Sequence, residues 1–173
     1  MEVAFEFVKD TWDPEFMSKK EIIIEKDGRS AKRWEKFKRD NTYYSAQCKT
    51  KLDGKFEKSK MKWRVKTGED NEEGTQYYIG LCRRQENFYE KIVSDKDSYF
   101  LDIFMGQTLC NGETAELYGY NEIVPDSVID IMYDRDEGTL EFIVNEDSKD
   151  IKLQHDDLKK GTYYLTAMWM KDD

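Results

Sequence analysis

The sequence predicts an all-β protein, a bent two-sheet antiparallel β-sandwich of the jelly-roll kind with few or no helices, and three observations carry the prediction. Short apolar runs alternate with a period of two, the mark of strands with one buried face. Polar turn signals separate these runs at short intervals, which suits roughly a dozen strands. No stretch holds the 3.6-residue period of an amphipathic helix.

Taken in order, VAFEFV from Val3 to Val8 sets Val3, Phe5 and Phe7 on one face against Ala4 and Glu6, an opening strand. Trp12-Asp13-Pro14 interrupts regularity, because Pro14 lacks the donor that a central strand needs. A β-branched strand resumes at Glu21 to Glu25 around Ile22, Ile23 and Ile24, and Asp27-Gly28 turns it back. Thr42 to Cys48 is β-prone. In KMKWRVK from Lys60 to Lys66, the residues Met61, Trp63 and Val65 alternate with charges. Gln76 to Cys82 holds Tyr77, Ile79 and Leu81, and Gly80 within it signals a close approach of another backbone.

Gln85 to Asp97 reads as a long polar loop, Ser98 to Met105 as a strand through Tyr99, Leu101 and Ile103, and Asn111-Gly112 as a turn. The clearest element is the hairpin from Val124 to Asn145. Its first arm puts Ile129, Ile131 and Tyr133 opposite Asp130, Met132 and Asp134; its second sets Leu140, Phe142 and Val144 against Thr139, Glu141 and Asn145. Between the arms, Gly138 supplies the positive φ that closes a bulged turn. Ile151 to Leu153 and Thr162 to Met170 complete the sheets. Strand parity buries Trp63 and Phe142.

The acidic turn Asp134 to Gly138 also suggests calcium, but an EF-hand loop needs Gly at position six and Glu at twelve. Counted from Asp134 those places hold Thr139 and Asn145, so no metal and no cofactor is expected.

With 173 residues the chain suits one domain. Apolar residues make up only 38%, yet the 4 Trp, 11 Tyr and 9 Phe bury large areas each, so a core survives the high charge. The first twenty residues are too charged for a signal peptide, and no run is long enough to cross a membrane as a helix. Cys48, Cys82 and Cys110 are scattered and odd in number, which suits reduced thiols. An intracellular protein, cytoplasmic or nuclear, follows as the expectation.

The net charge of −9 is unevenly spread. Residues 18 to 66 carry 17 Lys or Arg against 7 Asp or Glu, a local +10 that leaves −19 for the remainder. Within them, Trp34 and Phe37 sit among Arg29, Lys32, Arg33, Lys36, Lys38 and Arg39, a candidate surface for an acidic partner or for nucleic acid. No RRM, KH or zinc-finger motif accompanies it, so nucleic acid ranks below a strand with a lysine-coated outside. Strand order decides whether this charge forms a patch, since a sandwich can set basic and acidic strands side by side.

Four pieces in order, and the closing strand after them, resemble the SPRY or B30.2 family. KKEIIIEKDGRSAKR from Lys19 looks like its N-terminal PRY-type strand and turn, KMKWRVK like its WEV strand, YYIGLCRR from Tyr77 like its IGV strand. PDSVIDIMYDRDEGTLEFIVN from Pro125 looks like its hairpin, and GTYYLTAMWMK like its last long strand, with Tyr164 where the family often has proline. The resemblance implies residues 1–58 as a PRY-like part and 59–173 as the SPRY core. It also implies function: a non-catalytic protein-protein interaction module that binds a peptide segment or a folded protein through loops at one end of the sandwich. By resemblance to SOCS-box members, the partner-binding residues are Thr75 after Gly74, Tyr89 in the long loop, and Met168 with Trp169, where Met170 replaces a glycine. Parity alone also allows Trp169 in the core, on a face with Tyr163, Leu165 and Ala167.

Other classes find less support. His155, the single histidine, lies in a charged stretch where a Ser-His-Asp or Cys-His device would have to be built around it. A carbohydrate-binding sandwich shares the architecture and the wealth of Tyr and Trp, by fold analogy alone.

Overall fold

The structure is a computed structural model and describes residues 6–19, 22–33, 43–67, 75–88, 93, 95–117 and 126–171. Among these residues there are fourteen strands: β1 (Glu6–Phe7), β2 (Trp12–Met17), β3 (Ile22–Ile24), β4 (Ala31–Arg33), β5 (Tyr43–Cys48), β6 (Lys60–Lys66), β7 (Thr75–Cys82), β8 (Ser98–Asp102), β9 (Gln107–Cys110), β10 (Glu113–Leu117), β11 (Val128–Asp134), β12 (Thr139–Val144), β13 (Asp147–Gln154) and β14 (Tyr164–Lys171). One 3-10 turn, Asp156–Lys159, precedes β14. A five-stranded sheet has the order β1-β6-β11-β12-β13 and a seven-stranded sheet the order β10-β9-β8-β7-β14-β5-β2; β3 and β4 form a small ribbon. All pairings are antiparallel except that of β1 with β6.

The hairpin expected from the sequence is β11–β12, with Ile129, Ile131 and Tyr133 paired to Val144, Phe142 and Leu140. All six are buried, with Trp63 and Met61 from the neighbouring β6. Against them the seven-stranded sheet sets Leu81, Ile79, Tyr99, Leu101, Tyr163, Leu165 and Ala167, so the two inner faces close one core by the alternation along each strand. Gly138 has φ +67°, as its turn requires, and a side chain there would also run into the His155 carbonyl. Asp134 accepts the N–H groups of Asp136 and Glu137 on one carboxylate oxygen and the Lys60 ammonium on the other, so the acidic turn is capped from within.

The outer face of the seven-stranded sheet is buried too. Tyr78, Cys82, Phe100, Leu109 and Met168 pack there with Val93, beneath the segment that follows β7. This segment is fixed by the sheet's own polar side chains. Gln47 donates to the Arg83 carbonyl and accepts from the Gln85 N–H. The hydroxyls of Ser18 and Ser45 both donate to the Phe88 carbonyl, at 2.8 and 3.2 Å. The Arg84 guanidinium lies over the rings of Phe16 and Tyr164, 3.6 and 3.8 Å from their centroids.

Two expectations change, and one point that strand order had to decide is decided for β6. Phe7, expected on a buried face, is 57% exposed. It stands in register with Lys62, whose side chain points outward, so its ring meets Lys62 Nζ at 5.2 Å on the outer surface. Pro14 lies within a strand after all, because β2 is the edge of its sheet and its register shifts between Trp12 and Met17, leaving no ladder bond to break. The basic charge of β6 does not make a patch. Its register with β11 brings Lys60 to Asp134 at 3.1 Å, Lys62 to Asp130 at 2.9 Å and Arg64 to Asp130 at 2.7 Å. Trp34, Lys36, Phe37, Lys38 and Arg39 lie outside the described residues.

Burial keeps the thiols in their protonated form. Cys48, Cys82 and Cys110 are all free, and the Cys82 pKa is pushed up to about 11, chiefly by burial. Among the described residues no helix is long and apolar enough to cross a membrane.

Candidate interaction surface

Tyr133 and Tyr163 stack edge to face with centroids 6.5 Å apart, joining the Asp134 end of one sheet to the Cys82 end of the other. That leaves the Lys66 and Val128 ends of β6 and β11 with the Thr75 and Lys171 ends of β7 and β14 at the opposite end. Thr75 opens β7 directly across from Lys171. Trp169, two residues earlier in β14, is in register with Tyr77 on one side and Tyr44 on the other and packs half-buried against the main core. Met168 points the other way and is 0% exposed, in the outer cluster with Val93. It lies under the segment after β7, so its contribution to a surface runs through what it supports. Tyr89 lies outside the described residues; its chain neighbour Phe88 is held by the two serines.

The same end carries a feature the sequence reading passed over. The turn between β8 and β9 presents Phe104, 54% exposed, and Met105, 49% exposed. Two large apolar residues at a hairpin tip, where polar residues are the rule, were the available signal. Asp102 builds the tip. One of its carboxylate oxygens accepts the N–H groups of Phe104 and Met105 at 3.0 and 2.9 Å, the other accepts from Gln107 Nε2 at 3.1 Å, and its backbone carbonyl takes the Gly106 N–H. Burial raises the pKa of this carboxyl, opposed by the bonds it accepts. Ile103 N–H donates to the Tyr77 carbonyl at 2.8 Å, tying the tip to the strand beside Trp169.

The far end is polar and self-satisfied. A groove of about 430 Å³ there is lined by Arg83, Arg84, Glu86, Asp95, Lys96 and Asp97 among others. Arg83 pairs with Asp97 at 2.9 Å and Arg84 with Asp13 at 3.5 Å. His155 caps the 3-10 turn: its Nδ1 faces the Asp157 N–H at 3.2 Å and the Tyr99 hydroxyl at 3.4 Å, and its Nε2 faces the Asn111 amide at 3.2 Å. Its ring joins Tyr99, Tyr163 and Tyr133 in one aromatic cluster, whose hydroxyls Tyr133 and Tyr163 donate to the carbonyls of Leu158 and Asp157. The ring is thus engaged in holding the loop. Among the described residues no group of three or more His, Cys, Asp or Glu side chains converges to hold a metal ion.

The family model described as the SPRY domain matches residues 60–171. No curated protein sequence matches the chain. Solved structures match across nearly its whole length: the SPRY domain of human HERC1, with TM-score 0.64, 15% identity and coverage of 94% of this chain and 91% of that one; the TRIM65 PSpry domain, with TM-score 0.69, 14% identity and coverage of 96% and 89%; and stonustoxin, with TM-score 0.62, 13% identity and coverage of 94% of this chain but 27% of that one. At these identities the likeness is one of fold.

Proposed function

The chain belongs to the SPRY family, commonly one of protein-interaction modules, and from that premise we propose that it binds a peptide segment or a folded protein at the end of the sandwich bearing Thr75, Trp169 and the Phe104–Met105 tip. One observation carries the reading: two large apolar side chains stand exposed on a turn that a buried carboxylate holds rigid, beside a half-buried tryptophan. Large apolar groups on a fixed backbone lose little entropy on docking, and aromatic residues in such places dominate binding energy. In this reading Trp169 and Tyr89 touch the partner, Thr75 borders it, and Met168 supports the site from beneath. The domain works without catalysis, by presenting a surface. Adaptor work inside a eukaryotic cell fits the family reading.

The test is affinity capture from native lysate with the parent domain and with Trp169→Ala and Tyr89→Ala. Loss of a captured partner by about 2 kcal/mol or more, at an unchanged melting temperature, supports the site. Unfolding by Trp169→Ala together with normal capture by Tyr89→Ala removes it.

A further inference from the structure

We propose that His155 is a proton-operated latch: with its ring neutral it ties the turn between β9 and β10 to the turn before β14, and on taking up a proton it releases Asn111 and loosens the Asp97 rim of the groove at the far end. The inference stands apart from the interaction reading above, since it concerns the opposite end of the sandwich and needs no partner.

His155 is the single histidine of the chain, and its side chain is 34% exposed, so protons reach it from solvent. Its backbone is fixed: the N–H donates to the Gly138 carbonyl at 2.9 Å, and the carbonyl accepts the Leu158 N–H at 3.1 Å. The ring then meets a donor at each nitrogen. The Asp157 N–H stands 3.2 Å from Nδ1, and Asn111 Nδ2 stands 3.2 Å from Nε2. The Asn111 amide is oriented by its other arm, where Oδ1 accepts the Asp97 N–H at 2.9 Å; turned over, it would set its NH2 group against that donor. A neutral imidazole accepts at one nitrogen and serves one of these donors at a time. The tautomer that accepts from Asn111 carries its proton on Nδ1, where the Tyr99 hydroxyl and the Asp157 carboxylate each stand 3.4 Å away. An imidazolium carries N–H on both nitrogens and can accept from neither donor. It keeps the Asp157 carboxylate and meets Asn111 donor to donor, so the tie that parts is the one between the two turns.

The released side chain holds more than itself. Asn111 and Asp97 have φ of 53° and 62°, a region costly for residues that carry a side chain, and the bond between them helps to hold both there. Asp97 reaches on to the Arg83 guanidinium at 2.9 Å, and these two side chains line the groove. Histidine is the side chain that ordinarily changes charge between about pH 5 and 8. Around the ring, Tyr99 of β8, Cys110 of β9 and Tyr163 behind Tyr99 keep their protons there, because burial raises the pKa of each, that of Tyr163 to about 12. On its own turn, the bond from Lys159 holds the Asp156 carboxyl below the ordinary carboxylate range. Asp157, Asp97 and, beside Cys110, Glu113 are the other acids of this end, and the β11–β12 turn meets His155 through Gly138.

The experiment follows two signals by NMR in the parent chain from about pH 7.5 to about pH 5.5: the ring resonances, unambiguous because the histidine is single, and the hydrogen-exchange protection of the Asp97 amide, corrected for the intrinsic pH dependence of exchange. Protection at Asp97 is expected to fall about tenfold in step with the ring titration, while Leu140 in the core keeps its own. In His155→Gln, which carries no titrating ring, protection at Asp97 is expected not to change over this range. Asn111→Asp turns the donor facing Nε2 into an acceptor and leaves an oxygen for the Asp97 N–H, so the sign reverses: the ring titrates at higher pH than in the parent, and Asp97 is no less protected in acid.

A ring that titrates while Asp97 protection stays level overturns the proposal, and this comparison uses the parent alone, so it decides even where a variant does not fold. The same acid loss in His155→Gln as in the parent overturns it too, assigning the effect to carboxylates. So does an Asn111→Asp chain that loosens in acid as the parent does, because a merely structural contact would not change sign.

Discussion

A Cβ at Gly80 would lie 2.0 Å from the Tyr99 carbonyl oxygen, the backbone of the neighbouring strand. Backbone cannot rotate aside as a flexible side chain can, so β7 and β8 would have to part in the middle of the seven-stranded sheet. Gly80→Ala is therefore expected to cost about 3 kcal/mol or more, measured by urea denaturation. A loss below about 1 kcal/mol would show that the strands can separate cheaply there.

Phe142 is fully buried between the sheets, opposite Ile131 and Ile151. Phe142→Ala is expected to cost about 3 to 5 kcal/mol, the sum of lost transfer energy and an unfilled cavity. Retention of parent stability in the same denaturation series would contradict the core packing.

The Arg64 guanidinium binds both oxygens of Asp130, and Lys62 adds a second cation. The bond from Arg64 holds the Asp130 carboxyl below the ordinary carboxylate range against the opposing effect of its burial. A depressed folded value means that the stabilisation is complete above the unfolded value, about 4, and is lost as pH falls through the lower folded one. Unfolding free energies measured from about pH 5 down to about pH 2 should fall less steeply in Asp130→Asn than in the parent. Parallel profiles would mean that the pair contributes nothing.

Gln47, buried without exposure, makes its amide bonds to the backbone of the segment after β7. Gln47→Ala leaves the Arg83 carbonyl and Gln85 N–H without those partners, so a cost of about 2 kcal/mol is expected. Hydrogen exchange at Gln85 should accelerate beyond what that global loss alone produces. Unchanged exchange at this amide would assign the anchoring elsewhere.

The one-sided strands were legible in advance for a physical reason. Where one face of a strand is apolar core and the other carries charged side chains, as in Met61-Trp63-Val65 or Ile129-Ile131-Tyr133, period two picks out the core face directly. The same rule is silent when both faces are covered. β8 is buried at all five positions, and Tyr78, Phe100 and Met168 face away from the main core into a second one under the segment after β7. That second layer depends on Gln47, Ser18 and Ser45 reaching backbone groups far along the chain, a relation no local pattern encodes. Phe7 went to the wrong side for a related reason: in a two-residue edge strand the partner's register, not the strand's own alternation, sets the face. At the candidate site, Trp169 was visible by resemblance and parity together, whereas the Phe104–Met105 tip required knowing that Asp102 closes a turn there.

The anchoring of the segment after β7 separates where a loop is held from what it displays. Its bonds to Gln47, Ser18 and Ser45 use main-chain atoms of Arg83, Gln85 and Phe88, groups that every residue but proline can offer in full. These instructions for landing are written in the sheet, while Glu86 and Asn87 face solvent. A change at position 86 can therefore alter what the segment displays without touching these bonds, and a library randomised there should yield folded members throughout.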